Sequence, residues 1–176
     1  MNYRLFNRHP RLPNSHDARL LDVWNRVALK VFRKQGNSVQ ADLIEDVLYG
    51  PAEMLGGSQL EDGELIQLAR EEFEGQPFCI VRNWMLLDVM LAEAQEREVR
   101  KQGLQPTVLF ISHAVYDSDA SVPASDGFVT GYQKDFHGCF FESKDKLYIL
   151  AGRGARKHVS VPAISALHEN LSWPVR

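Results

Sequence analysis

The residues able to do chemistry in this sequence fall into four groups, and the first is a set of thiols and imidazoles in the C-terminal half. Cys139 stands two residues after His137, while His113 and His158 fall on other apolar segments of the same half. A cysteine within hydrogen-bonding reach of a histidine makes a thiolate nucleophile, and three or four such groups at matched spacing make a zinc site. The spacing here meets neither requirement, because the chain has no C-x-x-C and no H-E-x-x-H. Ser112 and His113 are adjacent, so alternation along a strand sends them to opposite faces. A small Cys/His enzyme is kept as an alternative. The reading adopted is a buried thiol in GCFF, with no catalytic residue, no metal and no cofactor assigned.

The second group is Gly152-Arg153-Gly154, followed by Arg156 and Lys157. Glycine amides beside basic side chains can cradle a phosphate. A dinucleotide or Walker loop needs a helix directly after the glycines, whereas KHVSVP reads on as a strand, so a glycine hairpin turn is expected. The third group, Asp117, Asp119 and Asp126, has the oxygen ligands of a cation site but not the glycine and terminal glutamate of an EF-hand loop, and reads as a solvated acidic loop.

The fourth group is electrostatic. Residues 1–36 carry eight Lys/Arg against two Asp/Glu, whereas residues 37–75 carry one Arg against ten acids. From residue 76 onward the chain is balanced, so the whole asymmetry lies in the first 75 residues. Asp42, Glu45 and Asp46 fall on one predicted helix, and Glu61, Asp62, Glu64, Glu71, Glu72 and Glu74 on another. Like charges one, three and four positions apart weaken a helix unless a cation answers them. The cation is either the chain's own basic segment, with Arg19, Arg26, Lys30 and Arg33 on one side, or a basic surface of another protein.

The elements that must carry these groups follow from hydrophobic period. Leu20, Leu21, Trp24, Val27, Ala28, Val31 and Phe32 repeat at three and four, which predicts a helix from Asn14 or Ser15 to Gly36. Val39, Leu43, Ile44, Val47 and Leu48 predict a second, ending at Gly50-Pro51 and completing a helical hairpin. PAEMLGGS reads as a loop, and Leu65 to Phe73 as a third helix. FCIVR reads as a strand, and Trp84 to Gln102 as the longest helix. After Pro106 the period changes: TVLFISHAVY, FVTGYQ, GCFFES, KLYILAG and KHVSVP predict strands, and PAISALHENLSW a closing helix or turn. DSDASVPASDG is expected to be a polar loop prone to local disorder. The fold expected is α+β in a single domain over 1–176. A helical N-terminal half of about four helices (1–103) packs on a mostly antiparallel β-meander or small barrel (104–176).

No apolar run approaches the roughly 20 residues that cross a bilayer, and the N-terminus lacks an apolar signal core. Two cysteines with no other sign of an oxidising compartment read as free thiols, and a cytoplasmic location is expected.

The stretch FFESKDKLYILAGRGARKHVSVPAISAL resembles an uncharacterised family of small bacterial proteins often associated with phages and other mobile elements. The resemblance rests on Phe141-Glu142, Leu147 to Leu150, Gly152 to Gly154, and Arg156-Lys157. It implies an accessory protein, for which an anti-CRISPR-like inhibitor of host defence is a sensible class. The expectation taken forward is a non-enzymatic protein binder whose acidic helices, Asp42 to Asp46 and Glu61 to Glu74, dock onto a basic protein surface such as that of a nucleic-acid-binding complex. The alternative is a nucleic-acid binder using Arg19, Arg26, Lys30 and Arg33, or Arg153, Arg156 and Lys157. An acidic second helix in the hairpin counts against a helix-turn-helix version of it.

Overall fold

A computed structural model describes residues 38–121 and 127–170. The first predicted helix, with Arg19, Arg26, Lys30 and Arg33, lies outside them, as do residues 122–126 of the polar loop, Asp126 among them. In chain order the elements are α1 (Ser38–Tyr49), β1 (Glu53–Gly56), α2 (Asp62–Glu72), β2 (Phe78–Met90), α3 (Glu93–Lys101), β3 (Thr107–Asp117), β4 (Phe128–Val129), β5 (Gln133–His137), β6 (Phe140–Ser143), β7 (Leu147–Leu150), β8 (Arg153–Ser160) and α4 (Val161–Asn170).

The α+β class holds, but the helices are spread along the chain rather than gathered in an N-terminal half. The decisive correction is β2. Trp84 to Met90, read from sequence as the start of the longest helix, is the second half of a 13-residue strand, and the helix occupies only Glu93–Lys101. β2 runs through the middle of the sheet, with β3 antiparallel along one edge and β7 and β8 parallel along the other. A strand covered on both faces carries apolar residues at every position, and WMLL then reads as well as a helix as it does as a strand.

The eight strands form one mixed sheet that curls into a half-barrel, in the order β1-β8-β2-β7-β6-β5, with β3 and then β4 on the far edge of β2. Within the C-terminal half β5, β6 and β7 form the expected antiparallel meander, and the sheet becomes mixed because β7 and β8 join it as parallel partners of β2. The loop predicted at PAEMLGGS contains β1, a four-residue edge strand that pairs with β8 from Glu53↔Arg156 to Gly56↔Arg153.

One edge of β2 is shared, and the sheet forks there. Phe78 to Val81 pair with β7, Met85 to Met90 pair with β8, and Arg82 to Trp84 lie between. The backbone changes course at this point: Asn83 has φ 53°, and the register against β3 slips between Ile80 and Val81. Ser112 Oγ donates to the Asn83 carbonyl at 2.8 Å, which anchors the kinked residue to β3.

Beyond the fork, alternate residues of β2 and β3 divide two cores. Trp84, Leu86, Leu109 and Ile111 join Leu65 and Ala69 of α2 and Phe73 at its C-cap. Met85, Leu87, Val108 and Phe110 join Ile44, Val47 and Leu48 of α1 and Ala163, Ala166 and Leu167 of α4. Each such side chain contributes about 1.5–3 kcal/mol on full burial, so the sheet is held from both faces. No helix among the described residues is long and apolar enough to cross a membrane.

Candidate partner-binding surface

The Gly-x-Gly turn is a packing device. Gly154 lies against the face of Trp84, where an added Cβ would come within 2.2 Å of the indole, and Trp84 Nε1 donates to the Ala151 carbonyl at 3.2 Å. Gly152 holds φ 69°, and its amide and carbonyl both pair with the Gly57–Ser58 strap, at 2.8 and 2.6 Å. The Gly152 amide is thus spent within the fold rather than offered to a phosphate.

The basic residues that follow are also engaged within the fold. Arg156 makes a bidentate pair with Asp88 at 2.7 and 3.0 Å, and Thr107 Oγ1 donates to the same carboxylate at 2.7 Å. Burial opposes ionisation of Asp88, yet the bonds from Arg156 and Thr107 outweigh it and hold the carboxyl below its ordinary range. Lys157 is buried and donates to the carbonyls of Asp46 and Val47, capping the C-terminal turn of α1, where a cation is favoured. Burial lowers its pKa, against the pull of Asp46. Of the three, only Arg153 is exposed.

The thiols are sealed. Cys79 and Cys139 are both free and buried, and burial pushes them up to about 12 and about 11. At neutral pH a thiol so placed stays protonated and is a poor nucleophile. His113, His137 and His158 stand exposed on β3, β5 and β8, and no group of three His, Cys, Asp or Glu among the described residues could hold a metal ion.

Asp117 and Asp119 are brought to a partner that the sequence did not indicate. Lys146 donates to Asp117 at 2.5 Å, to Asp119, and to Ser121 Oγ at 2.7 Å, with only 7% of the Lys146 and Asp117 side chains exposed. Desolvation works against the ammonium, but the two carboxylates more than offset it and raise its pKa. The bond from Lys146 in turn holds Asp119 far below the usual carboxylate range. An ion already fills the place that a divalent cation would take.

The acidic residues remain, and the fold separates them. Asp42, Glu45 and Asp46 project from α1, while Glu61, Asp62, Glu64, Glu71, Glu72 and Glu74 lie on or beside α2, and the two helices seal different cores. They are therefore two surfaces. On α2, Asp62 is held by Arg82 at 2.6 Å. The helix's own Arg70 turns instead to Tyr116, donating to its hydroxyl at 3.2 Å with the guanidinium 5.0 Å from the ring centroid. Glu61, Glu64, Glu71, Glu72 and Glu74 are exposed, and no cation among the described residues pairs with them.

α3 shows what a neutralised helix looks like. Its Glu93, Glu96 and Glu98 pair with Arg97, Arg100 and Lys101 at 3.2, 2.7 and 3.4 Å. The contrast sharpens at the end of α2, where Glu71, Glu72 and Glu74 gather at the helix C-terminus. The backbone dipole is negative there, so carboxylates are disfavoured. A groove of about 250 Å³ opens beside that same end, lined by Phe73, Gln76, Asp135, His137, Phe140, Glu142 and Leu147.

Neither curated proteins nor solved structures show a match to this chain. A family model does match, over residues 56–166, a span that takes in α2, the fork and all the strands except most of β1. The chain therefore belongs to the family described as Domain of unknown function (DUF6957).

Proposed function

We propose that this chain is a non-enzymatic protein-binding module that docks the acidic end of α2 onto a basic surface of another protein. The observation that carries the reading is the placement of Glu71, Glu72 and Glu74. They are exposed, lack a cation among the described residues, and stand at the end of the helix where the dipole opposes them. An arrangement that weakens the isolated helix is relieved when a cationic surface closes over it. The basic, nucleic-acid-binding face of a larger complex has the required charge. An inhibitor of a bacterial defence complex, carried by a mobile element, is the specific form we propose on the strength of the C-terminal resemblance.

The test is capture of partners by the tagged full chain, compared with a variant carrying Glu71→Lys, Glu72→Lys and Glu74→Lys. The variant should keep the wild-type circular dichroism spectrum and lose the captured protein. Equal yields from the two would refute the reading.

A further inference from the structure

We infer that the groove beside the C-terminal end of α2 is an anchoring pocket for an arginine side chain of the partner, an inference that rests on the docking reading above and gives it a chemistry. The groove is built by strand register. Asp135 pairs with Glu142 and His137 with Phe140 across β5 and β6, so all four side chains share one face of that hairpin. Leu147 continues the face as the partner of Glu142 on β7. Phe73 and Gln76, from the end of α2 and the turn after it, form the remaining wall, and the rings of Phe73 and Phe140 meet edge to face at 5.6 Å between centroids.

The size and lining select the occupant. At about 250 Å³ the groove is smaller than the roughly 300–1,000 Å³ of small-molecule sites, and suits one long side chain. Phe73, Phe140 and Leu147, each buried, back the groove, while exposed Asp135 and half-buried Glu142 bring carboxylates to it, with Glu72 and Glu74 flanking Phe73 in the chain. A flat cation with an aliphatic stem fits such a lining better than a compact, strongly hydrated ammonium does. Lys134 pairs with Glu142 at 2.6 Å, with 56% and 31% of the two side chains exposed. Such a surface pair is weak and yields readily to an incoming guanidinium.

The test is titration of the full chain with tetra-arginine and tetra-lysine peptides by isothermal calorimetry at low salt. The wild type should bind tetra-arginine about fivefold more tightly than tetra-lysine, reflecting contact with the aromatic backing. Asp135→Asn with Glu142→Gln should cost about tenfold in tetra-arginine affinity and erase the preference. Lys134→Ala, which frees Glu142, should raise that affinity. Equal binding of the two peptides by the wild type, or a preference that survives the double substitution, would overturn the pocket. The docking reading would then stand only if reversal of Glu71, Glu72 and Glu74 still removed binding of both peptides. Failure of the wild type to bind either peptide would overturn both.

Discussion

Gly154 stands where the indole of Trp84 leaves no room for a side chain, and that contact closes the fork between β7 and β8. Gly154→Ala should therefore destabilise the protein by about 1–3 kcal/mol, the usual cost of forcing a methyl into a packed core. A lower midpoint in urea unfolding, followed by tryptophan fluorescence, checks this. An unchanged midpoint would mean that the ring moves aside freely.

Lys146 neutralises two carboxylates from β3 and the turn after it. Lys146→Met leaves Asp117 buried without its counter-ion and should cost about 3 kcal/mol. Replacing the pair together, Lys146→Met with Asp117→Leu, should cost less than the single change, which a double-mutant cycle in urea measures.

The same cluster sets a pH window. The folded pKa of Asp119 lies below its unfolded one, so its contribution is present above about pH 4 and is lost as pH falls through the folded value. Lys146 is shifted the other way, so its contribution is present below about pH 10.4 and is lost as pH rises through its folded value. Wild-type stability should fall at both ends of this range, and Lys146→Met should flatten both slopes. Parallel slopes in the two proteins would remove the cluster as their source.

Burial protects both thiols. Cys79 and Cys139, pushed up to about 12 and about 11, should resist iodoacetamide at pH 7.5 in the folded protein and react fully in urea. Intact mass spectrometry counts the adducts. Rapid modification of either thiol in the folded state would restore the Cys/His enzyme as a candidate.

How much of this was legible in the sequence depended on whether a signal was local. The helix around Leu65 to Phe73 and the strands of TVLFISHAVY and KLYILAG carry their period within a few residues, and all are present. β2 was misread beyond Arg82 because burial on both faces erases alternation, and the charged run of α3 extends the false helical pattern. β1 was missed because four residues at a sheet edge hold no period. The site was partly legible. The charge asymmetry marked α2, but the sequence could not show that α1 and α2 seal different cores. Nor could it pair Lys146 with Asp117, 29 positions away, or Arg156 with Asp88, 68 away. Gly154 carried a real constraint whose cause, Trp84, lies 70 residues upstream.

If Glu71, Glu72 and Glu74 serve docking rather than folding, the isolated protein should gain from losing them. Their replacement by glutamine should raise stability by roughly a few tenths of a kcal/mol each, as the conflict with the helix dipole is removed. Thermal unfolding at low salt checks this, and a drop in midpoint would show that the carboxylates hold the fold.

The most direct test of the docking surface compares two charge reversals that the fold places on different helices. Glu71, Glu72 and Glu74 are reversed to lysine in one variant, and Asp42, Glu45 and Asp46 in the other, with partner capture measured for each at matched ionic strength. Loss of the partner is expected with the α2 variant and near-wild-type capture with the α1 variant. Equal loss from both, or capture that follows α1 instead, would contradict docking through α2.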